Sequence, residues 1–222
     1  MESQMGNQSQ SKIQCAAQRP KPARRPGAFT LIELLVVISI IGILAALVVG
    51  LARVVGPRKA ESTARTELRA LELVFESYKS KLGSYPPDNT NHPALAPLYY
   101  ELVGTVSKDG GQTYQTLSGS DAIKQQHIAL AFGLGGFVNS GEDARNFYQN
   151  LKVARIFTLT NISGVTIAEG VNVLVSSVKG PRGEAVPWRY VSSNPTNNPG
   201  AYDLWVEFVV GGKTNIIGNW KE

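Results

Sequence analysis

The 222-residue sequence contains one cysteine and two histidines. Cys15 lies in a polar N-terminal stretch, so the residues that follow offer no thiol for a disulfide, a metal site or nucleophilic catalysis. His92 and His127 do not have the spacing of a zinc site, and each is interpreted as a surface or loop residue. The folded part must therefore be stabilised by packing, and we expect neither a cofactor nor a bound metal ion.

The sequence also has little net charge outside its N-terminus. The formal net charge is +5, and residues 1–28 hold five basic side chains against Glu2 alone, which leaves +4 in that stretch. Nucleic-acid binding requires a basic patch on a folded face, beside aromatic or base-reading residues. The basic residues here lie in a polar arm, so we expect no nucleic-acid partner.

The sequence matches known catalytic motifs only weakly. The glycines of residues 133–137, GLGGF, lack the preceding strand and the phosphate-binding pattern of a nucleotide loop, and are interpreted as a flexible turn. Ser118 or Ser120 with Asp121 could form a catalytic fragment, but serines before an acidic helix start are ordinary caps. The sequence therefore does not predict an enzyme.

One long uncharged run is present, from Leu34 to Ala52 between Glu33 and Arg53. As a helix it is about 28 Å long, close to the ~30 Å hydrocarbon thickness of a bilayer. A secretory signal peptide is the alternative, but its apolar region would be only about 7 to 15 residues long. We therefore predict a membrane span, and the basic residues before it predict a cytoplasmic N-terminus and an exported remainder.

Residues 29–47, FTLIELLVVISIIGILAAL, resemble the N-terminal cleavage and methylation segment of type IV pilins and type II secretion pseudopilins. In that family a prepilin peptidase removes a basic leader on the cytoplasmic side, and the new amine is methylated. The resemblance implies a leader of residues 1–28, cleavage between Ala28 and Phe29, and methylation of Phe29. Because the family most often has glycine before the cut bond, cleavage between Gly27 and Ala28 is the alternative.

The resemblance also implies a role for Glu33. An unpaired carboxylate at the head of the uncharged run costs at least ~2.5 kcal/mol. The N-terminal amine of one subunit can meet the Glu33 carboxylate of a neighbour in the membrane, which makes Glu33 an assembly residue. Alternatively, Glu33 extends toward the lipid headgroups from the first helical turn, where the positive end of the helix dipole favours it.

After the uncharged run, apolar residues recur every three or four positions from Ala60 to Leu82. This spacing predicts an amphipathic helix that continues the membrane-spanning one. Gly50 and the pair Gly56–Pro57 predict a kink or local unwinding between the halves. Gly83 predicts the end of the helix.

Five strands are predicted from β-branched residues and alternating hydrophobicity. They are residues 153–160, 171–178, 186–191, 203–210 and 214–217. An antiparallel sheet of these strands would bury Leu68, Leu71 and Phe75 of the amphipathic helix. The resemblance implies the same α+β, pilin-like fold, in which a long N-terminal helix, half transmembrane and half amphipathic, packs on a C-terminal antiparallel sheet.

The segment between the long helix and the first strand is expected to be rich in loops. Two short helices are predicted near residues 121–132 and 142–152, with Ser120 and Ser140 as their N-terminal signals. The predicted domain organisation is a leader of residues 1–28, a transmembrane helix of residues 29–57 and a periplasmic head of residues 58–222.

Two segments resemble the secretion pseudopilins in particular. They are YKSKLGSYPPD, Tyr78 to Asp88, and the ending from Tyr202 to Trp220, which resembles that of the major pseudopilin. That family often binds calcium in the loop before this ending. Here residues 211–215, GGKTN, contain no carboxylate, and calcium prefers several oxygen ligands that include carboxylates, so we do not predict the calcium site.

The resemblance implies a single-pass protein of the bacterial inner membrane, with its N-terminus in the cytoplasm and its head in the periplasm. Its function would be structural, as a subunit of a pseudopilus that assembles through the N-terminal helix and supports type II protein secretion. Its partners would be identical or related pseudopilin subunits in a helical filament, prepilin peptidase, the inner-membrane assembly platform and the lipid bilayer. The alternatives are a type IV pilin for adhesion, motility or DNA uptake, and a membrane-tethered binding module.

Overall fold

The computed structural model describes residues 30–220, and the side chains of residues 48–55 lie outside that description. The described chain divides into two compact units, with the boundary between Ala46 and Leu47. The first unit contains the start of one long helix, and the second contains the rest of that helix and the strands. The predicted leader, both candidate cleavage bonds and Phe29 lie outside the described residues.

Helix α1 spans Leu31–Leu82 and confirms the long N-terminal helix. It continues unbroken through Gly56 and Pro57, so of the predicted kink or local unwinding the unwinding is wrong. Gly83 ends the helix as predicted. Its φ of 83° lies in the left-handed region that glycine adopts readily, and its N–H donates to the Lys79 carbonyl oxygen at 2.8 Å.

The segment after α1 is more regular than the sequence predicts. It contains helix α2 (Leu98–Val103), strands β1 (Thr105–Val106), β2 (Thr113–Thr116) and β3 (Ala122–Lys124), and helix α3 (Gln125–Phe132). The three strands form a small antiparallel sheet in the order β1-β2-β3. The helix predicted over 121–132 is therefore correct only over its last two thirds, and Lys124, not Ser120, occupies the N-cap position.

The helix predicted over residues 142–152 is wrong. The side chain of Asn139 donates to the Arg145 carbonyl oxygen at 2.6 Å and accepts from the Arg145 N–H at 2.9 Å. The Phe147 N–H donates to the Leu102 carbonyl oxygen of α2 at 2.8 Å. Tertiary hydrogen bonds thus replace the helical ones, and Ser140 forms a single bridge with Thr105 in place of a helix cap.

All five predicted C-terminal strands are present. They are β4 (Ile156–Ile162), β5 (Val165–Lys179), β6 (Ala185–Val191), β7 (Asp203–Val210) and β8 (Lys213–Gly218), which form one antiparallel sheet in chain order. Strand β5 begins earlier than predicted, because Val165 pairs with Ile162 across a two-residue turn. Both turn residues, Ser163 and Gly164, have positive φ, as a tight hairpin of this kind requires.

The sheet and the second half of α1 enclose the main core. The helix contributes Ala64, Leu68, Leu71, Phe75 and Tyr78, all buried, and the facing strands contribute Trp188, Tyr190, Leu204 and Val206. The predicted burial of Leu68, Leu71 and Phe75 is confirmed. A second core lies between β5 and the helices α2 and α3, where Tyr100 stacks on Phe137 with 5.0 Å between ring centroids. The α+β, pilin-like architecture is therefore confirmed.

Candidate assembly site

The candidate site lies where α1 begins. Thr30 precedes the helix, and Glu33 is the third helical residue. The Thr30 N–H and hydroxyl each donate to Glu33 Oε2 at 2.9 Å, and the Glu33 N–H donates to Thr30 Oγ1 at 3.3 Å. This reciprocal arrangement is a capping box, which satisfies two N–H groups at the helix start that have no partner within the helix.

The capping box is visible in the sequence as TLIE, a threonine followed three residues later by glutamate. Our sequence interpretation considered only an amine or the lipid headgroups as partners of Glu33, and so missed this local role. Within the described part of the chain, Glu33 accepts hydrogen bonds only through Oε2, so its Oε1 is available to a donor from another chain. Helix capping and pairing with a neighbouring amine are therefore compatible.

The following helical turns present apolar side chains to the surroundings. Every side chain from Leu31 to Leu47 is exposed, and Leu31 and Leu47 are 81% and 60% exposed. The hydroxyl of Ser39 donates to the Leu35 carbonyl oxygen of its own helix at 2.8 Å. An exposed apolar surface of this extent indicates contact with lipid or with other protein chains.

Within the part of the chain that the structure describes, no helix combines the length and the apolar character needed to cross a membrane.

The residues considered for catalysis form a structural network. Asp121 accepts hydrogen bonds from the hydroxyls of Ser120 and Tyr99 and from Asn172 Nδ2. Ser118 Oγ lies 2.9 Å from Ser120 Oγ. The Asp121 carboxylate thus joins three parts of the head through hydrogen bonds, an arrangement that stabilises the loop before β3.

The remaining candidates for chemistry are dispersed. His92 is exposed before a short 3₁₀ turn, and His127 lies half-buried on α3, 3.2 Å from Gln126 Nε2. The turn predicted at residues 133–137 ends at buried Phe137, which stacks on Tyr100. Among residues 30–220, no group of three or more histidine, cysteine, aspartate or glutamate side chains is placed to hold a metal ion.

A family model described as the prokaryotic N-terminal methylation motif matches residues 23–49. The matched segment includes the end of the predicted leader, both candidate cleavage bonds, Glu33 and the exposed apolar turns. No curated protein and no solved structure matches the chain. The motif supports a type IV pilin-like subunit, a structural protein that prepilin peptidase processes and that assembles into filaments.

Proposed function

We propose that this pilin-like chain is a subunit of a pseudopilus that supports type II protein secretion. The observation that carries the proposal is the exposed apolar start of α1, headed by Glu33 and contained in the methylation motif. The ending from Tyr202 to Trp220 supports the secretion pseudopilins within this class, because it resembles the end of the major pseudopilin.

In this proposal residues 1–28 form a leader that is removed between Ala28 and Phe29, and Phe29 is methylated. Residues 29–57 anchor the protein in the inner membrane, and residues 58–222 form a periplasmic head. The uncharged run continues to Ala52, beyond the side chains that the structure describes, and its full length supports the anchor, since a helix of about 28 Å is close to the thickness of the hydrocarbon layer. The basic leader supports the orientation, because basic residues are retained on the cytoplasmic side.

Assembly follows from the two charges at the mature N-terminus. The Phe29 amine of one subunit pairs with the Glu33 carboxylate of a neighbour, and in lipid this pair costs much less than the two separate charges. The exposed apolar turns of neighbouring helices then pack together. Because such head-to-tail contacts between identical chains need not close into a ring, they produce a filament.

The test separates the pairing role of Glu33 from its capping role. Glu33→Gln keeps a residue type that completes a capping box but removes the charge. We expect it to insert and to be cleaved normally, but to form no filaments. Glu33→Leu should also insert and be cleaved without assembling. Filament yield after shearing, together with membrane fractionation of each variant, provides the measurement.

Thr30→Ala is the matched control. It removes the capping hydroxyl and keeps the carboxylate, so the helix start loses about 0.5–2 kcal/mol while filaments still form. Normal filaments from Glu33→Gln, or loss of filaments from Thr30→Ala with normal processing, would contradict the pairing role.

Mass spectrometry of the mature N-terminal peptide tests the processing step. The expected product begins with N-methylated Phe29. A product that begins at Ala28 would keep the pilin-like class and correct the cleavage bond. An intact leader in cells with active prepilin peptidase would contradict the proposal and would favour the membrane-tethered binding module.

Gene deletion distinguishes secretion from the type IV pilin alternative. A secretion pseudopilin predicts that exported enzymes accumulate in the periplasm of the deletion strain. Loss of surface fibres, adhesion, motility or DNA uptake with secretion unchanged would instead support a type IV pilin.

A further inference from the structure

The turn between β7 and β8 lies beside the long helix. It consists of Gly211 and Gly212, with φ of 62° and 76°, between the paired residues Val210 and Lys213. A Cβ atom built on Gly211 would lie 4.0 Å from Pro57 Cγ of α1, which is ordinary van der Waals contact. The first residue of β8 therefore lies at the same end of the head as Pro57.

The turn and Pro57 place basic residues that are far apart in the sequence at the same end of the head. Arg58 and Lys59 follow Pro57 directly, and Lys213 follows the turn. All three are exposed, and within the described residues none of them forms an ion pair, whereas Arg65, Lys124, Arg155 and Arg189 do. We refer to Arg58, Lys59 and Lys213 as the cation cluster.

The distance of the cation cluster from the end of the uncharged run matches the distance of lipid phosphates from the hydrocarbon layer. Arg58 follows Ala52, the last residue of the uncharged run, by six positions, which is about 9 Å along a helix. The headgroup layer on each side of a bilayer is about 5–8 Å thick. Arginine and lysine side chains are long and flexible enough to reach back to that layer.

We propose that the cation cluster binds the phosphate groups of anionic phospholipids in the leaflet from which α1 emerges. This inference rests on the membrane anchor of the proposed function. Basic residues next to a span are attracted to anionic lipid surfaces, and the attraction extends over about one Debye length. Two separate chain segments hold the cluster, so lipid binding would fix the head close to the membrane surface before the subunit enters a filament.

The experiment uses the full chain in lipid nanodiscs made of phosphatidylcholine alone or mixed with phosphatidylglycerol. Exposed Thr214 is replaced by cysteine to carry a fluorescent donor, and Cys15 is replaced by serine so that the label is unique. An acceptor on the lipid headgroups reports the distance between β8 and the membrane surface by energy transfer. Transfer should be stronger on the anionic discs, and the difference should shrink at high salt.

The test variant replaces the whole cluster and the control replaces three exposed cations elsewhere on the head. The test variant combines Arg58→Gln, Lys59→Gln and Lys213→Gln. The control combines Lys108→Gln, Lys152→Gln and Arg182→Gln. Both changes remove the same charge. The test variant should lose the difference in transfer between anionic and neutral discs, and the control should keep it.

A test variant that keeps the full difference, or a natural chain that shows none, would overturn lipid binding by the cation cluster and leave the membrane anchor intact. Co-elution with the discs is recorded for every sample, because failure of the natural chain to enter the discs would overturn the anchor itself, and this inference with it.

Discussion

The buried carboxylate of Glu101 is the main polar feature of the head at the scale of single residues. Its exposed fraction is 0%, and it accepts hydrogen bonds from the Tyr78 hydroxyl at 2.7 Å and from the N–H groups of Val138 and Asn139 at 2.8 and 2.9 Å. Burial raises the pKa of Glu101, and these three hydrogen bonds oppose the rise. One side chain thus joins α1, α2 and the loop after α3.

Glu101→Gln should therefore destabilise the head although it preserves the side-chain volume. A glutamine amide nitrogen would face one of the N–H donors, which would leave a buried group unpaired at a cost of about 1–3 kcal/mol. The measurement is urea unfolding followed by tryptophan fluorescence, to which buried Trp188 contributes. Glu142→Gln, on the exposed surface, is the control and should change the free energy of unfolding little. Equal effects of the two substitutions would show that the Glu101 network is unimportant.

Gly104 is the second residue whose identity depends on its surroundings. It follows α2 with φ of 74° and ψ of 149°, in a region that essentially only glycine occupies. A Cβ atom there would lie 2.7 Å from the Arg145 carbonyl oxygen and 2.8 Å from Leu117 Cδ1. Backbone conformation and lack of space therefore both require glycine.

Gly104→Ala should cost more than about 3 kcal/mol, because the conformational strain and the steric clash add. The matched control is Gly110→Ala. Gly110 has a similar φ of 73° but nothing within 4 Å of its added Cβ, so only the conformational cost of about 1 kcal/mol applies. Thermal unfolding of both variants checks the difference, and equal melting temperatures would contradict the clash.

At the scale of elements, the attachment of α1 to the sheet includes a buried ion pair. Glu67 of α1 accepts from the Ser176 hydroxyl at 2.8 Å and from the Ser177 N–H at 3.1 Å, both on β5. The Arg155 guanidinium lies 3.6 Å from the Glu67 carboxylate. It also donates hydrogen bonds to the Tyr148 hydroxyl and to the Val175 carbonyl oxygen. The side chains of Glu67 and Arg155 are only 10% and 8% exposed, so each charge is largely shielded from water if its partner is lost.

Glu67→Ala should cost about 3–5 kcal/mol, because it leaves the Arg155 charge buried without a counter-charge. The double variant Glu67→Leu with Arg155→Leu should recover part of this loss, since it removes both charges. The comparison is Glu61→Ala, whose partner Arg65 is half exposed, and which should cost less than about 1 kcal/mol. A double variant no more stable than Glu67→Ala would show that packing, not charge, dominates this contact.

At the scale of the whole molecule, both hydrophobic cores lie in the second unit. Their buried members extend from Ala64 to Ile217. A chain that starts at Arg58 should therefore be soluble, monomeric and cooperatively folded, because it retains every buried core residue. Ultracentrifugation and a single urea transition check this expectation. Aggregation or a gradual transition would show that the omitted residues are needed for the fold of the head.

Calcium should change the melting temperature of this shortened chain very little. The buried Asp203 carboxylate already accepts from the N–H groups of Thr196, Asn197 and Asn198 at 2.8 to 2.9 Å. These N–H donors already occupy both oxygens of the carboxylate, which calcium would need as ligands. A large rise in melting temperature with calcium would contradict this interpretation, because a ligand that binds the native state stabilises it.

The sequence by itself was sufficient where structure depends on near neighbours along the chain. The apolar spacing from Ala60 to Leu82 and the cap at Gly83 correctly predicted the helix and its buried face. Alternating residues correctly predicted all of β7, from Asp203 to Val210. The TLIE capping box was also readable from the sequence, although its meaning was missed. The helix and the capping box are predictable because their hydrogen bonds lie within a few residues of one another, and β7 is predictable because its alternating side chains do.

Only the tertiary structure determined the middle segment and the polar contacts of the head. Strands of two to four residues carry too little periodicity to be detected, and the Asn139 hydrogen bonds to Arg145 hold residues 142–152 out of a helix. Glutamate is usually a surface residue, yet Glu67 and Glu101 are both buried, because their hydrogen-bond partners lie 23 to 110 positions away along the chain. Such contacts depend on how distant segments meet, and the local pattern around each glutamate contains no sign of them.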